Sequence, residues 1–144
     1  MTDKNIWTKL NFTASKEESA YDLLLTQSDQ LVVATTGELK MDVEAVDSYL
    51  DVEPPKPIAL YILYVVAPNL GNFRRKILTV VEGKEEGRFP VDIYCHIDDK
   101  KDENINKSEF LDKISEILNR KLVSNSIENL FQQSKEYSKN KPHE

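Results

Sequence analysis

The chain has 144 residues and a formal net charge of -6, from 25 acidic and 19 basic side chains. A negative overall field opposes long-range attraction to nucleic-acid phosphates and anionic lipid, so binding of the whole molecule to either is disfavoured. With 40% hydrophobic residues, 4 Gly and 6 Pro, the composition predicts a single folded domain of residues 1–144, long enough to fold without disulfides or metals.

The first predicted element is a helix that begins at Ser15. Ser15 and Glu18 have the spacing of a capping box, and an apolar stripe at helical spacing follows them as far as Gly37. Gly37 is placed to end this helix in a left-handed conformation. Ahead of the helix, we expect Trp7 and Phe12 to fold back onto the core, whereas an exposed Trp7 would be an anchor for a protein partner.

Four segments in the middle of the chain have the patterns of strands. Some alternate apolar with polar side chains, as half-buried strands do, and others are more continuously apolar, as buried strands are. In chain order they are 39–45, 58–67, 73–82 and 89–98. The second is about half as long as a membrane-spanning helix needs to be, so no membrane span is predicted. Short connections predict an antiparallel meander, and Pro90 suits an edge strand.

The C-terminal part of the chain is predicted to form two helices. Residues 98–104 are a charged loop in this interpretation, and Asn106 with Glu109 has the pattern of a helix cap. A short helix follows from about Ser126, and 135–144 is predicted to be a flexible tail beyond an ordered core of about 6–134. The predicted fold class is α+β: an N-terminal helix, a four-stranded antiparallel meander and two C-terminal helices on one sheet face.

The chain holds one cysteine, Cys95, next to one of its two histidines, His96. Neighbouring residues on a strand point to opposite faces of the sheet. The thiol is therefore expected inside, and the imidazole outside with Asp92, Tyr94 and Asp98. A lone cysteine forms no intramolecular disulfide, and the N-terminus lacks the apolar run of a secretory signal. Together these features predict a cytoplasmic protein.

The residues around His96 argue against catalysis and against bound cofactors. No second His or Cys lies at metal-ligand spacing, and no G-x-S-x-G nucleophile turn occurs. The four glycines are too widely spaced for a dinucleotide fingerprint or a P-loop. We therefore expect no metal, no cofactor and no enzymatic activity; a small enzyme would have to centre on His96 with Asp92 or Asp98.

The strongest asymmetry along the chain is in charge. Residues 38–53 carry six acidic side chains against Lys40, whereas 54–81 carry four basic and no acidic ones. If these segments form adjacent strands, their charges compensate across the sheet, which is a purely structural interpretation. The functional interpretation is a protein-binding module of the immunity, antitoxin, adaptor or regulatory kind, whose acidic strand steers a basic partner. Its predicted contact residues are Asp42, Glu44, Asp47 and Trp7.

An alternative function is the binding of a nucleotide or of single-stranded nucleic acid at a hairpin. Amides, one aromatic ring and three cations cluster there, and such a group suits phosphate and stacked bases. The residues are Asn69, Asn72, Phe73, Arg74, Arg75 and Lys76. Open sheet edges also make a symmetric homodimer an alternative, which Pro90 and the charges at the edge oppose.

Overall fold

The alternating segments in the middle of the chain build one antiparallel sheet. The structure is a computed structural model, and it describes residues 18–84 and 87–140. Within these residues the sheet has five strands, in the order β1-β2-β3-β4-β5. They are β1 (Lys40–Leu50), β2 (Lys56–Ala67), β3 (Phe73–Gly83), β4 (Val91–Cys95) and β5 (Lys100–Ile105). The predicted α+β class and the antiparallel meander are confirmed.

The prediction of a charged loop at 98–104 is wrong, because a fifth strand forms there. A turn at residues 96–99 reverses the chain, and β5 then pairs antiparallel with β4. Ile105 is the one buried residue of β5, so this charged strand has almost no alternation of hydrophobicity that a sequence pattern could reveal. With β5 in place, β4 is an internal strand. The expectation that Pro90 marks a sheet edge is therefore also wrong.

The predicted N-terminal helix is present as two short helices with a different start, α1 (Ala20–Leu25) and α2 (Ser28–Ala34). The capping box is formed by Ser19 and Asp22, which bond each other's backbone N–H groups at 3.1 and 3.2 Å. Ser15 lies outside the described residues. After α1, Thr26 Oγ1 donates to a carbonyl one turn back at 2.6 Å, a bond that competes with continued helix. Gly37 is left-handed as predicted, with a φ of 83°.

Two longer helices follow the sheet. The first, α3 (Lys107–Leu118), begins after Asn106 as predicted, and the Asn106 amide donates to Glu109 Oε1 at 3.1 Å. The second, α4 (Lys121–Asn140), is longer than predicted and includes 135–140, where the sequence indicates a tail. The last four residues lie outside the described part of the chain. Of the helices that the structure describes, none is long and apolar enough to cross a membrane.

The helices cover one face of the sheet, which we call the helix face. Alternate residues of β2, among them Leu63 and Val65, point to this face and are buried in one core with Phe110 of α3 and Leu130 of α4. Strand residues of the opposite phase point to the other face, which none of the described helices covers. We call this second surface the open face.

Candidate functional site

The acidic residues proposed for protein binding lie on β1 but on two different faces of the sheet. Asp42 and Glu44 have the same phase and point to the open face, beside Tyr64 and Ile62 of β2. Asp47 has the opposite phase and points to the helix face. These three acids therefore do not form one patch. Trp7, the fourth predicted contact residue, lies outside the described residues.

Two of these acids have cations beside them. Asp42 contacts Arg74 at 3.5 Å, and Asp47 contacts Lys84 at 2.5 Å, with all four side chains exposed. The first contact joins the acidic and the basic segment, as the structural interpretation of the charge asymmetry predicts. Exposed ion pairs contribute about 0–1 kcal/mol each. A charged partner would therefore displace either cation at little cost.

The outer edge of β1 is the longer of the two sheet edges that the structure describes. All eleven residues of β1 pair with β2 without a register shift, and no described strand pairs with the other side of β1. At the opposite edge β5 has six residues, and its pairing with β4 is irregular. Val46, Tyr49 and Leu50 of β1 are exposed, Tyr49 by 69%. A long, regular edge with exposed apolar side chains is what an added strand needs.

The two arginines of the basic hairpin point to different faces of the sheet. Arg74 is on the open face and lies 3.9 Å from the centre of the Tyr64 ring. Arg75 is on the helix face and donates to Ser126 Oγ of α4 at 2.7 Å. Each guanidinium therefore already has a partner within the chain. Asn69 is also engaged, since its amide donates to a carboxylate oxygen at 3.1 Å.

The other three residues of the predicted phosphate site are exposed. Phe73 lies 5.7 Å from the guanidinium of Arg75 on the helix face, and Lys76 is on the open face. Asn72 has a φ of 59° in the turn before β3. The six residues thus do not converge on one site. Binding of nucleotides or single-stranded nucleic acid stays a prediction without a supporting geometry.

Cys95 and His96 are kept apart, as the strand pattern predicts. Cys95 is fully buried, and His96 is exposed with Nε2 2.7 Å from Thr79 Oγ1. The prediction that Asp98 shares the outer surface with His96 is wrong. β4 ends before His96, and Asp98, with its side chain 4% exposed, turns inward to Arg120 at 3.4 Å. Within the described residues no group of His, Cys, Asp and Glu is arranged to hold a metal ion.

Cys95 is expected to be unreactive in the folded protein. Burial raises the pKa of its thiol and excludes reagents, and the thiolate is the reactive form. We expect iodoacetamide to leave the native chain unmodified at neutral pH, and to alkylate its single cysteine once urea has unfolded it. Mass spectrometry measures the modification. Alkylation of the native protein as fast as that of a free thiol would show that Cys95 is accessible.

A cavity on the helix face beside β1 contains a buried acid that no sequence motif marks. Tyr61 donates its hydroxyl hydrogen to Glu82 Oε2 at 2.6 Å, and Glu82 Oε1 has no hydrogen-bond partner within the described residues. Burial, and then the bond to Glu82, raise the pKa of Tyr61 well above its ordinary value. The cavity has a volume of about 680 Å³. Its lining includes Asp47, Ala59, Tyr61, Glu82, Lys84 and Arg88.

One signal in the sequence could have identified this cavity. Glu82 is in register with Ala59 of β2, at the inward phase of β3 that Val80 and Leu78 also occupy. An acidic side chain on the buried face of an apolar strand destabilises the folded state unless it is hydrogen-bonded. Such a residue is therefore a candidate for a structural or binding role.

No protein-family model matches the chain, and neither a curated protein nor a solved structure does. Two features of the described residues have the geometry to bind another molecule: the outer edge of β1, and the cavity that contains Glu82.

Proposed function

We propose that the chain is a non-enzymatic, cytoplasmic protein-binding module that pairs the outer edge of β1 with an extended segment of a partner protein. The main support is the regular eleven-residue edge that no described strand occupies. An added strand gains backbone hydrogen bonds along such an edge, and alternate side chains supply specificity. Immunity, antitoxin and adaptor proteins can act in this way, since they hold a partner without changing it chemically.

The side chains of β1 define the kind of segment that fits. The strand carries three acids against Lys40, and Glu44 has no ion-pair partner within the described residues. Val46 and Leu50 add exposed apolar surface on the open face. A partner strand whose open-face side chains are basic beside Asp42 and Glu44 and apolar beside Val46 and Leu50 complements both, and opposite charge accelerates its association. The same acids repel β1 of a second copy, which disfavours a homodimer through this edge.

Reversing the charge of Glu44 tests the proposal. In Glu44→Lys a basic partner loses an attraction and meets a repulsion, so we expect binding to weaken roughly tenfold or more. Glu44 is exposed, and the fold should therefore be unaffected. Glu103→Lys is the matched control, because it makes the same charge change at an exposed position of β5, at the other edge. Affinity capture with quantitative mass spectrometry compares the two variants with the wild type.

The proposal predicts a partner that the wild type and Glu103→Lys recover and Glu44→Lys loses. In the purified complex, the amides within residues 40–50 that point away from β2 should become protected from hydrogen exchange, because a new strand bonds to them. Three outcomes would overturn the proposal: recovery of no specific protein, equal recovery by Glu44→Lys, or protection that leaves β1 unchanged.

A further inference from the structure

Glu82 is a buried carboxylate that its neighbours satisfy only in part. It is 5% exposed, and one oxygen accepts the hydroxyl hydrogen of Tyr61 at 2.6 Å. The other oxygen, Oε1, has no partner in the part of the chain that the structure describes. An ionised carboxylate has about four acceptor positions, and leaving buried ones empty is unfavourable. An N–H group that reached Oε1 would relieve this cost.

The adjoining cavity has room for a molecule that carries such a group. Its volume of about 680 Å³ lies within the range of roughly 300–1,000 Å³ that is usual for small-molecule sites. Ala59 and Tyr61 of β2 contribute to its lining, as does Ala45 of β1. The site thus combines an apolar wall with a buried polar group, which is the ordinary composition of a ligand pocket.

The charges of the lining restrict the ligand further. Lys84 is paired with Asp47 at 2.5 Å. Arg88 also lines the cavity, close enough for its charge to act on Tyr61, and it makes no hydrogen bond or ion pair with the residues that the structure describes. A ligand with a positive charge alone would be attracted by Glu82 and repelled by Arg88. A ligand with a negative charge alone would be attracted by Arg88 and repelled by Glu82. A molecule that carries both charges satisfies both side chains.

We propose that this cavity binds a small zwitterion of the amino-acid class. Glu82 Oε1 accepts from the ammonium group of the ligand, and the Arg88 guanidinium donates to its carboxylate. Tyr61 holds the Glu82 carboxylate in position through its hydroxyl bond. This site goes beyond the proposed function, because it lies on the helix face and leaves the edge of β1 free for a partner strand.

Isothermal titration of the full chain with individual amino acids tests the site. Agmatine serves as a probe with positive charge alone, and propionate as a probe with negative charge alone. We expect at least one amino acid to bind more tightly than either probe. Glu82→Gln and Arg88→Gln should each weaken that binding roughly tenfold or more, since each removes a charged hydrogen-bond partner. Glu103→Gln on β5 and Arg74→Gln on the open face make the same charge changes away from the cavity and should leave amino-acid binding unchanged.

Thermal unfolding without ligand shows whether each variant is folded. Arg88→Gln keeps the test decisive if Glu82→Gln destabilises the protein, because Arg88 has no bond among the described residues to lose. Absence of binding by every amino acid at millimolar concentration would overturn the proposal. Agmatine binding as tight as that of an amino acid would also overturn it, since Arg88 would then have no role. The proposal would likewise be overturned if folded Arg88→Gln bound the amino acid as tightly as the wild type does.

Discussion

Replacing Arg120 with Met is expected to lower the free energy of unfolding by about 3–5 kcal/mol. Arg120 donates to Asp102 at 2.7 Å and contacts Asp98 at 3.4 Å, and these side chains are 17%, 20% and 4% exposed. Without the guanidinium, Asp98 is a buried charge, and its Oδ1 atom already lacks a partner within the described residues. Urea denaturation followed by circular dichroism measures the loss.

Two further variants separate the buried charge from the loss of packing. Adding Asp98→Asn to Arg120→Met removes the unpaired charge, so we expect it to restore about 1–2 kcal/mol. Lys113→Met is the matched single change, because Lys113 contacts the same Asp102 at 3.7 Å from a more exposed position. Its expected cost is below about 1 kcal/mol. Equal losses in Arg120→Met and Lys113→Met would show that the buried pair is not what stabilises this region.

The Arg120 network also shows why β5 could not be predicted. Arg120 is separated by 22 residues from Asp98 and by 18 from Asp102. Their pairing fixes the turn and the strand that follow β4 against the junction of α3 and α4. Hydrophobic periodicity detects strands that bury one face. A strand held by distant ion pairs and by Ile105 leaves no such periodic pattern.

Strand phase, by contrast, could be predicted, because the backbone alone sets the alternation of side chains. Cys95 of β4 is inside, as expected, and His96 is outside, although it lies in the turn after β4. The same rule applied to β1 would have shown that Asp47 points away from the face of Asp42 and Glu44. The charge of these acids suggests one binding surface, but their phase divides them between the two faces of the sheet.

The Glu82 cavity depends on contacts that a single sequence does not show. Tyr61 and Glu82 are 21 residues apart and meet because of the register between β2 and β3. The local pattern of hydrophobic residues predicts both strands, but it does not determine which residues of β2 and β3 pair. The partners of Arg74 and Arg75 were hidden for a similar reason, since Arg75 bonds to α4 across 51 residues. Composition correctly marked the hairpin as basic, but it could not show that these cations are already engaged.

Replacing Tyr61 with Phe is expected to lower the free energy of unfolding by about 2 kcal/mol. The ring and its packing 5.6 Å from the Tyr21 ring are retained, and only the hydroxyl that donates to Glu82 is lost. Glu82 then has neither oxygen bonded within the described residues. Adding Glu82→Gln removes the buried charge, so the double variant should be more stable than Tyr61→Phe alone. A double variant that shows the full sum of two separate losses would contradict this coupling.

The same bond should make stability depend on pH in the alkaline range. The folded state raises the pKa of Tyr61 above its ordinary value of 10.0, through burial and the bond to Glu82. The folded protein therefore keeps this proton where the unfolded chain releases it, and the contribution to stability is complete below pH 10 and is lost as the pH rises further. Urea denaturation at about pH 8 and about pH 10.5 should show that the free energy of unfolding falls more for the wild type than for Tyr61→Phe.

The control is Tyr137→Phe, which changes an exposed tyrosine of α4. Its free energy of unfolding should fall as much as that of the wild type. If Tyr61→Phe instead lost as much stability as the wild type over this interval, the Tyr61 hydroxyl would not be held protonated by the fold.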